Sequence, residues 1–267
     1  MVMQDQVWIA FAVTFLAGLA TVIGGVIVLF FKKPSYRFLA FGLAFSAGAM
    51  IYVSLTEILN KSIDSFSQAY DEKMGFALGT FAFLLGVILV LLLDRFVPNP
   101  HETIDIQNKE IISQQQLMRT GLLTLFAITA HNFPEGLATF FATLESPTLG
   151  APLAVAIAIH NIPEGVAIAL PVYMATSRKS LALIASFVSG LAEPVGAAVG
   201  YFILAPYMSF SIYGAVFGVI GGVMVYLALD ELLPTAKQFA KGHETVYGLV
   251  TGMASLASSL VIFKFLS

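Results

Sequence analysis

The sequence predicts an all-α membrane protein: eight transmembrane helices in a 3+2+3 inverted-repeat bundle, with both termini extracytoplasmic. Three observations carry this. Hydrophobic residues make up 58% of the chain and charged residues only 11%, with a mean hydropathy of +0.88, outside the range of soluble globular chains. Eight apolar stretches follow one another, each long enough to cross a bilayer at about 20 residues per helix. Finally, three pairs of stretches repeat one another at nearly one offset.

The stretches cover roughly 7–31, 36–59, 74–97, 119–143, 150–174, 180–204, 210–235 and 246–266. The first is expected to be a span and not a cleaved leader, because it lacks a basic start, carries Asp5 and has too long an apolar run. Together they form one transmembrane domain over 1–267, with no soluble domain left over and a polar loop at about 98–118. Ten of the 13 basic residues, Lys32, Lys33, Arg37, Arg95, Lys109, Arg119, Arg178, Lys179, Lys237 and Lys241, fall on one side of these spans. Lys61, Lys73 and Lys264 fall on the other. Positive charge marks the cytoplasmic side, which puts both termini outside.

Helices 1–3 recur as helices 6–8. Gly18-Leu19-Ala20-Thr21-Val22-Ile23-Gly24 resembles Gly190-Leu191-Ala192-Glu193-Pro194-Val195-Gly196 at an offset of 172. Gly48, Met50, Tyr52, Leu55, Glu57 and Leu59 return as Gly222, Met224, Tyr226, Leu229, Glu231 and Leu233 at 174. Gly75-x-x-x-Gly79 returns as Gly248-x-x-x-Gly252 at 173. Each partner crosses in the opposite direction, the plan of secondary transporters, whose sites lie at the midplane between repeats. The Gly-x-x-x-Gly strings are read as close packing within the chain, with a homodimer seam as the alternative.

Helices 4 and 5 carry the chemistry. His131-Asn132-Phe133-Pro134-Glu135-Gly136 and His160-Asn161-Ile162-Pro163-Glu164-Gly165 lie 29 residues apart inside apolar runs. Ionisable residues at that depth are costly and mark function. A lone histidine in an apolar helix is ordinarily a packing residue; the same trio twice at one depth is not. At about 1.5 Å per residue both motifs lie near the bilayer centre, and Glu193 and Thr21 reach the same level. At about 100° per residue each carboxylate points between its His and its Asn. Facing helices would thus build a site of two His and two Glu beside one of two Asn sharing those Glu. Pro134 and Pro163 free the carbonyls of Ala130 and Ile159, which are expected to face a wet cavity.

These donors point to a divalent metal moved across the membrane. There is no cysteine, which excludes disulfides and thiolate ligands and disfavours Cu(I). Nitrogen and oxygen donors suit Zn2+, and also Fe2+, Mn2+, Co2+ and Cd2+, with zinc ahead of manganese and iron in affinity. A net charge of -3 gives no reason to invoke nucleic acid. A membrane-embedded carboxylate-bridged dimetal enzyme would use similar ligands. The paired Asn, the lack of acid–base candidates beyond the ligands and the duplication of the bundle argue against it. The metalloprotease motif His-Glu-x-x-His is absent. A passive metal channel with the same ligands remains the other alternative.

The paired motifs, Gly190–Gly196 and Asp230-Glu231-Leu232-Leu233-Pro234 resemble the ZIP family of zinc- and iron-regulated transporters, in particular its bacterial ZupT-like branch. The resemblance spans the whole chain. It implies metal uptake through a binuclear centre in the cell (inner) membrane. His131, Glu135, His160 and Glu164 look like the first site. Asn132, Asn161 and Glu193, with the shared Glu135 and Glu164, look like the second. It also implies that helices 1, 4, 5 and 6 move against 2, 3, 7 and 8. Many members have a His-rich loop between helices 3 and 4, where this chain offers only His101.

Overall fold

The computed structural model describes residues 2–30, 35–94, 114–207 and 209–266. His101, Arg95, Lys109, Lys32 and Lys33 lie outside these residues. The described chain is helical without strands. Helix α1 runs over Val2–Val28, α2 over Tyr36–Val53, α3 over Leu59–Ala69 and α4 over Glu72–Asp94. Helices α5 (Gln114–Glu145) and α6 (Pro147–Thr176) form a central pair. They are followed by α7 (Lys179–Gly190), α8 (Ala192–Val199), α9 (Phe210–Leu227), α10 (Leu233–Phe239) and α11 (Glu244–Leu266).

Seven of the resulting rods are long and apolar enough to cross a membrane. The eighth, α5, is 32 residues long, but His131, Asn132, Glu135 and its threonines dilute its apolar run. The second span outlasts its hydropathy: from Tyr36 it continues to Ala69 as one rod. A π-helical turn, Ser54–Ile58, joins α2 to α3. The added α3 is amphipathic; it buries Ser62, Ser65 and Phe66 against α4 and α9, and Ser62 Oγ donates to the Gly214 carbonyl at 2.6 Å. Two more π-helical turns follow among the described residues: Gly200–Leu204 after α8, and Ala228–Leu232, which joins α9 to α10. Such turns cluster at functional positions, and the first and last carry Glu57 and the pair Asp230 and Glu231.

Burial separates centre from rim. In α6, 72% of the apolar window is buried, against 17% in α4 and in α11. The rim helices display Phe76, Phe81, Leu93, Val250 and Ile262 on their outer faces, an apolar surface suited to lipid and not to water. Inside, α1 packs on α6, α6 on α5, and α5 on α8; outside, α2 packs on α11, and α4 and α3 on α9. Both Gly-x-x-x-Gly strings are consumed within the chain. Gly75 abuts Ser67 and Gly79 abuts Ile63, while Gly248 and Gly252 lie on the Phe41 and Phe45 carbonyls.

The central helices cross as closely as the outer ones. A Cβ on Gly165 would collide with the Thr21 carbonyl and one on Gly24 with the Ile162 carbonyl. On the other side, Gly136 lies against the Glu193 backbone and Gly196 against the Phe133 carbonyl. Prolines 134, 152, 163 and 171 all sit within α5 and α6 without ending them, as neighbouring helices allow in a membrane. The expected wet cavity is not found beside Pro163. Ile159 and Pro163 instead line an apolar groove of about 310 Å³ with Ile27, Phe38, Phe41 and Phe45.

Gly42 borders that groove, and a Cβ there would meet nothing within 4 Å. Gly165→Ala is therefore expected to cost about 1–3 kcal/mol through overpacking, while Gly42→Ala stays within about 0.5 kcal/mol. Thermal unfolding of the purified proteins in detergent compares them; equal midpoints would contradict the close crossing.

Candidate metal centre

All seven side chains singled out in the sequence converge at the centre of the bundle. His131 is 2% exposed and Asn132, Glu135, His160, Asn161, Glu164 and Glu193 are fully buried. His131, Asn132 and Glu135 come from α5, His160, Asn161 and Glu164 from α6, and Glu193 from the first turn of α8. One donor atom each of His131, His160 and Glu164 lies within 4.8 Å of the others, close enough to share a metal ion. Glu135 joins both histidines: its Oε1 lies 3.0 Å from His131 Nε2 and 2.8 Å from His160 Nε2. Glu164 Oε1 is 3.9 Å from His131 Nε2.

The groups around these donors orient them. His160 Nδ1 lies 3.0 Å from the Ala156 carbonyl. A carbonyl can only accept, so Nδ1 carries the proton, and the neutral ring then presents a lone pair at Nε2. That lone pair faces a carboxylate oxygen at 2.8 Å. Two electron-rich atoms at this distance repel unless a cation, proton or metal, lies between them. Ser46 Oγ donates to the His160 carbonyl at 3.1 Å and ties α2 to the same turn.

The two asparagines are held by their amide nitrogens. Asn132 Nδ2 donates to the Ser189 carbonyl at 3.2 Å and reaches Ser189 Oγ at 3.3 Å. Asn161 Nδ2 donates to the Ala17 carbonyl at 3.1 Å and to Glu193 Oε1. Both amide oxygens are thereby turned inward. Asn132 Oδ1, Asn161 Oδ1, Glu135 Oε2, Glu193 Oε2 and both Glu164 oxygens are buried without hydrogen-bond partners. Buried polar atoms are ordinarily paired. Six acceptor oxygens gathered without donors make a strongly cation-attracting centre.

Ser46, Ser189 and the Ala17 carbonyl were not anticipated. Ser189 stands one turn before Glu193 and so shares its face, which is a usable signal. Ser46 is one serine among many in apolar helices, and a backbone carbonyl leaves no mark in a sequence.

Comparison with known proteins agrees with this chemistry. Residues 98–260 match the family model described as ZIP Zinc transporter. The chain is 65% identical to the Zinc transporter ZupT of Stenotrophomonas maltophilia (strain R551-3) over 262 residues, 97% of each chain. It is 58% identical to that of Neisseria meningitidis serogroup B over 96% of each. With that of Streptococcus mutans it shares 45% identity over 98% of this chain and all of the other.

Asn161 is the most connected of the amides. Asn161→Ala removes the donor to Glu193 and is expected to destabilise the metal-free protein by about 1–3 kcal/mol. Thermal unfolding in detergent with a chelator present reads this directly, and an unchanged midpoint would show that the amide does not hold Glu193.

Proposed function

The chain belongs to the ZIP zinc transporter family, and from that premise we propose that it carries zinc into the cytoplasm through a binuclear centre. The observation that carries the reading is the convergence of donor atoms of His131, His160 and Glu164 within 4.8 Å of one another, with Glu135 Oε1 2.8 Å from His160 Nε2. In the first site His131, His160, Glu135 and Glu164 surround one ion, with imidazole supplying the preference for zinc. In the second, Asn132, Asn161 and Glu193 hold another through oxygen, sharing Glu135 and Glu164. The unpartnered oxygens of these residues support that division. Three carboxylates against two divalent ions leave one positive charge, so the pair is held without excess. As the ions leave, a proton takes the place between His160 and Glu135. Other ions that accept this donor set, Fe2+, Mn2+, Co2+ and Cd2+, are expected to travel the same route more weakly or compete.

We read the fold as a 3+2+3 inverted repeat. Two of the three described π-helical turns support it, since Ser54–Ile58 and Ala228–Leu232 stand at an offset of 174. So do the anchors of the asparagines: Asn161 holds on to Ala17 and Asn132 to Ser189, residues offset by 172. The glycine crossings match as well, Gly165 on Thr21 and Gly136 on Glu193. The inner group α1, α5, α6, α7 and α8 then shifts against α2–α4 and α9–α11 to expose the centre alternately to each side.

The distribution of basic residues supports a cytoplasmic (inner) membrane protein with both termini outside. The chain has no native cysteine, so single cysteines report cleanly. Lys73 and Lys179 are exposed between spans. Lys73→Cys is expected to react with an impermeant thiol reagent on intact cells, and Lys179→Cys only after permeabilisation. The reverse pattern would invert the topology.

Glu135→Ala and Glu164→Ala each remove a ligand from both ions. Zinc uptake into proteoliposomes is expected to fall by more than about 100-fold, beyond the range typical of groups outside the ligand set. Asn132→Ala touches one ion and is expected to cost about tenfold. Near-normal uptake by both glutamate variants would overturn the binuclear reading.

A further inference from the structure

Threonine in the middle of a helix has a standard use for its hydroxyl, which is to donate to the carbonyl one turn back. Six helical threonines do so here: Thr14, Thr56, Thr129, Thr143, Thr176 and Thr251, at 2.6–2.9 Å. Thr21 does not. Its side chain is fully buried in α1 and its Oγ1 has no partner, a lack that Thr139 and Thr245 share; Thr21 differs from them in standing one turn from the Ala17 carbonyl that anchors Asn161.

The surroundings explain why. The carbonyl that Thr21 would use belongs to Ala17, and that oxygen already accepts Asn161 Nδ2 at 3.1 Å. The same amide donates to Glu193. Thr21 is pressed from two further sides. Gly165 lies on its carbonyl, and a Cβ built at Gly190 would lie 3.4 Å from its own Cβ. It therefore stands where α1, α6 and α7 meet, one turn from the carbonyl that anchors Asn161. Its oxygen is unpartnered, as are Asn161 Oδ1 and Glu193 Oε2, and a Cβ built at Gly18, one turn before Thr21, would lie 3.5 Å from the Glu193 Cβ.

We infer that Thr21 Oγ1 is a further oxygen ligand of the second metal ion, a neutral counterpart to Glu193 across the site. This rests on the binuclear reading above. Its effect is to complete an all-oxygen shell of carboxylate, amide and hydroxyl without adding a fourth negative charge. A carboxylate at this position would strengthen the hold on a cation in a low-dielectric centre. A hydroxyl contacts the ion and still lets it go.

The test uses the full chain in detergent for zinc binding by calorimetry and in proteoliposomes for uptake. Thr21→Val keeps the shape and removes the oxygen. It is expected to weaken the second zinc by about tenfold while the first binds as before, and Thr21→Ser restores the second. Thr14→Val, on the same helix with its hydroxyl spent on Ala10, leaves both unchanged. Thr21→Glu binds the second ion more tightly and slows uptake. If the unaltered protein binds only one zinc, the binuclear reading fails and this assignment with it. If it binds two and Thr21→Val binds both with unaltered affinity, the binuclear reading stands and Thr21 is not a ligand. A loss that Thr21→Ser fails to restore would assign Thr21 a packing role instead.

Discussion

Three carboxylates buried in one place, far from solvent, are the constraint around which this bundle is organised. An ionised group in hydrocarbon costs several kcal/mol unless it is paired or set in a polar cavity. Glu135, Glu164 and Glu193 are fully buried, and they are tolerable together because imidazoles, amides and a cation can gather round them. The anchors around them follow from this. Ala156 fixes the His160 tautomer, Ser189 and Ala17 fix the amides, and Asn161 fixes Glu193. Each contact spends a donor on a backbone or carboxylate acceptor, and the Asn132, Asn161 and Glu193 side chains each keep one buried oxygen without a partner.

Such a centre needs helices closer than large side chains permit. In a bilayer, lipid tails are as apolar as leucine, so helices associate through close packing and small residues. Glycine occurs where the ligand helices cross their neighbours, at 136 and 165 on α5 and α6 and at 24 and 196 on α1 and α8. The bulky side chains stand elsewhere. Phe140, Phe141 and Phe217 fill the interior away from the motifs, and α4 and α11 carry theirs outward. The outer pairs use the same device, with Gly222 on the Phe83 carbonyl and Gly252 on the Phe45 carbonyl.

The proposed repeat is least exact at the candidate metal centre. Thr21 stands at the position that matches Glu193, and Asn161 has a carboxylate neighbour where Asn132 has a serine hydroxyl. Two equal halves would give two equal ligand sets and up to four carboxylates beside two divalent ions. Substituting a hydroxyl on one side lowers that charge while keeping an oxygen in place. In the proposed repeat the shared frame sets the position of the groups, and the differences between the halves set their charge.

The amino-acid sequence carries the spans, their order and the residue types of the candidate centre, because each depends on local features. A run of about 20 apolar residues can be read by counting, and a paired His-Asn-x-Pro-Glu-Gly declares its chemistry and, through helical periodicity, its face. It did not reveal that the second span continues to Ala69, since the buried face of α3 is built of Ser62, Ser65 and Phe66 and hydropathy is blind to an amphipathic extension. Nor did it reveal the apolar groove beside Pro163, which depends on how α1, α2 and α6 splay. The anchors were decided by tertiary structure alone. Ser46, Ser189 and the Ala17 carbonyl act across 114, 57 and 144 residues. A hydrogen bond between distant segments has no local signature, because its partners are ordinary residues until the helices that carry them are packed together.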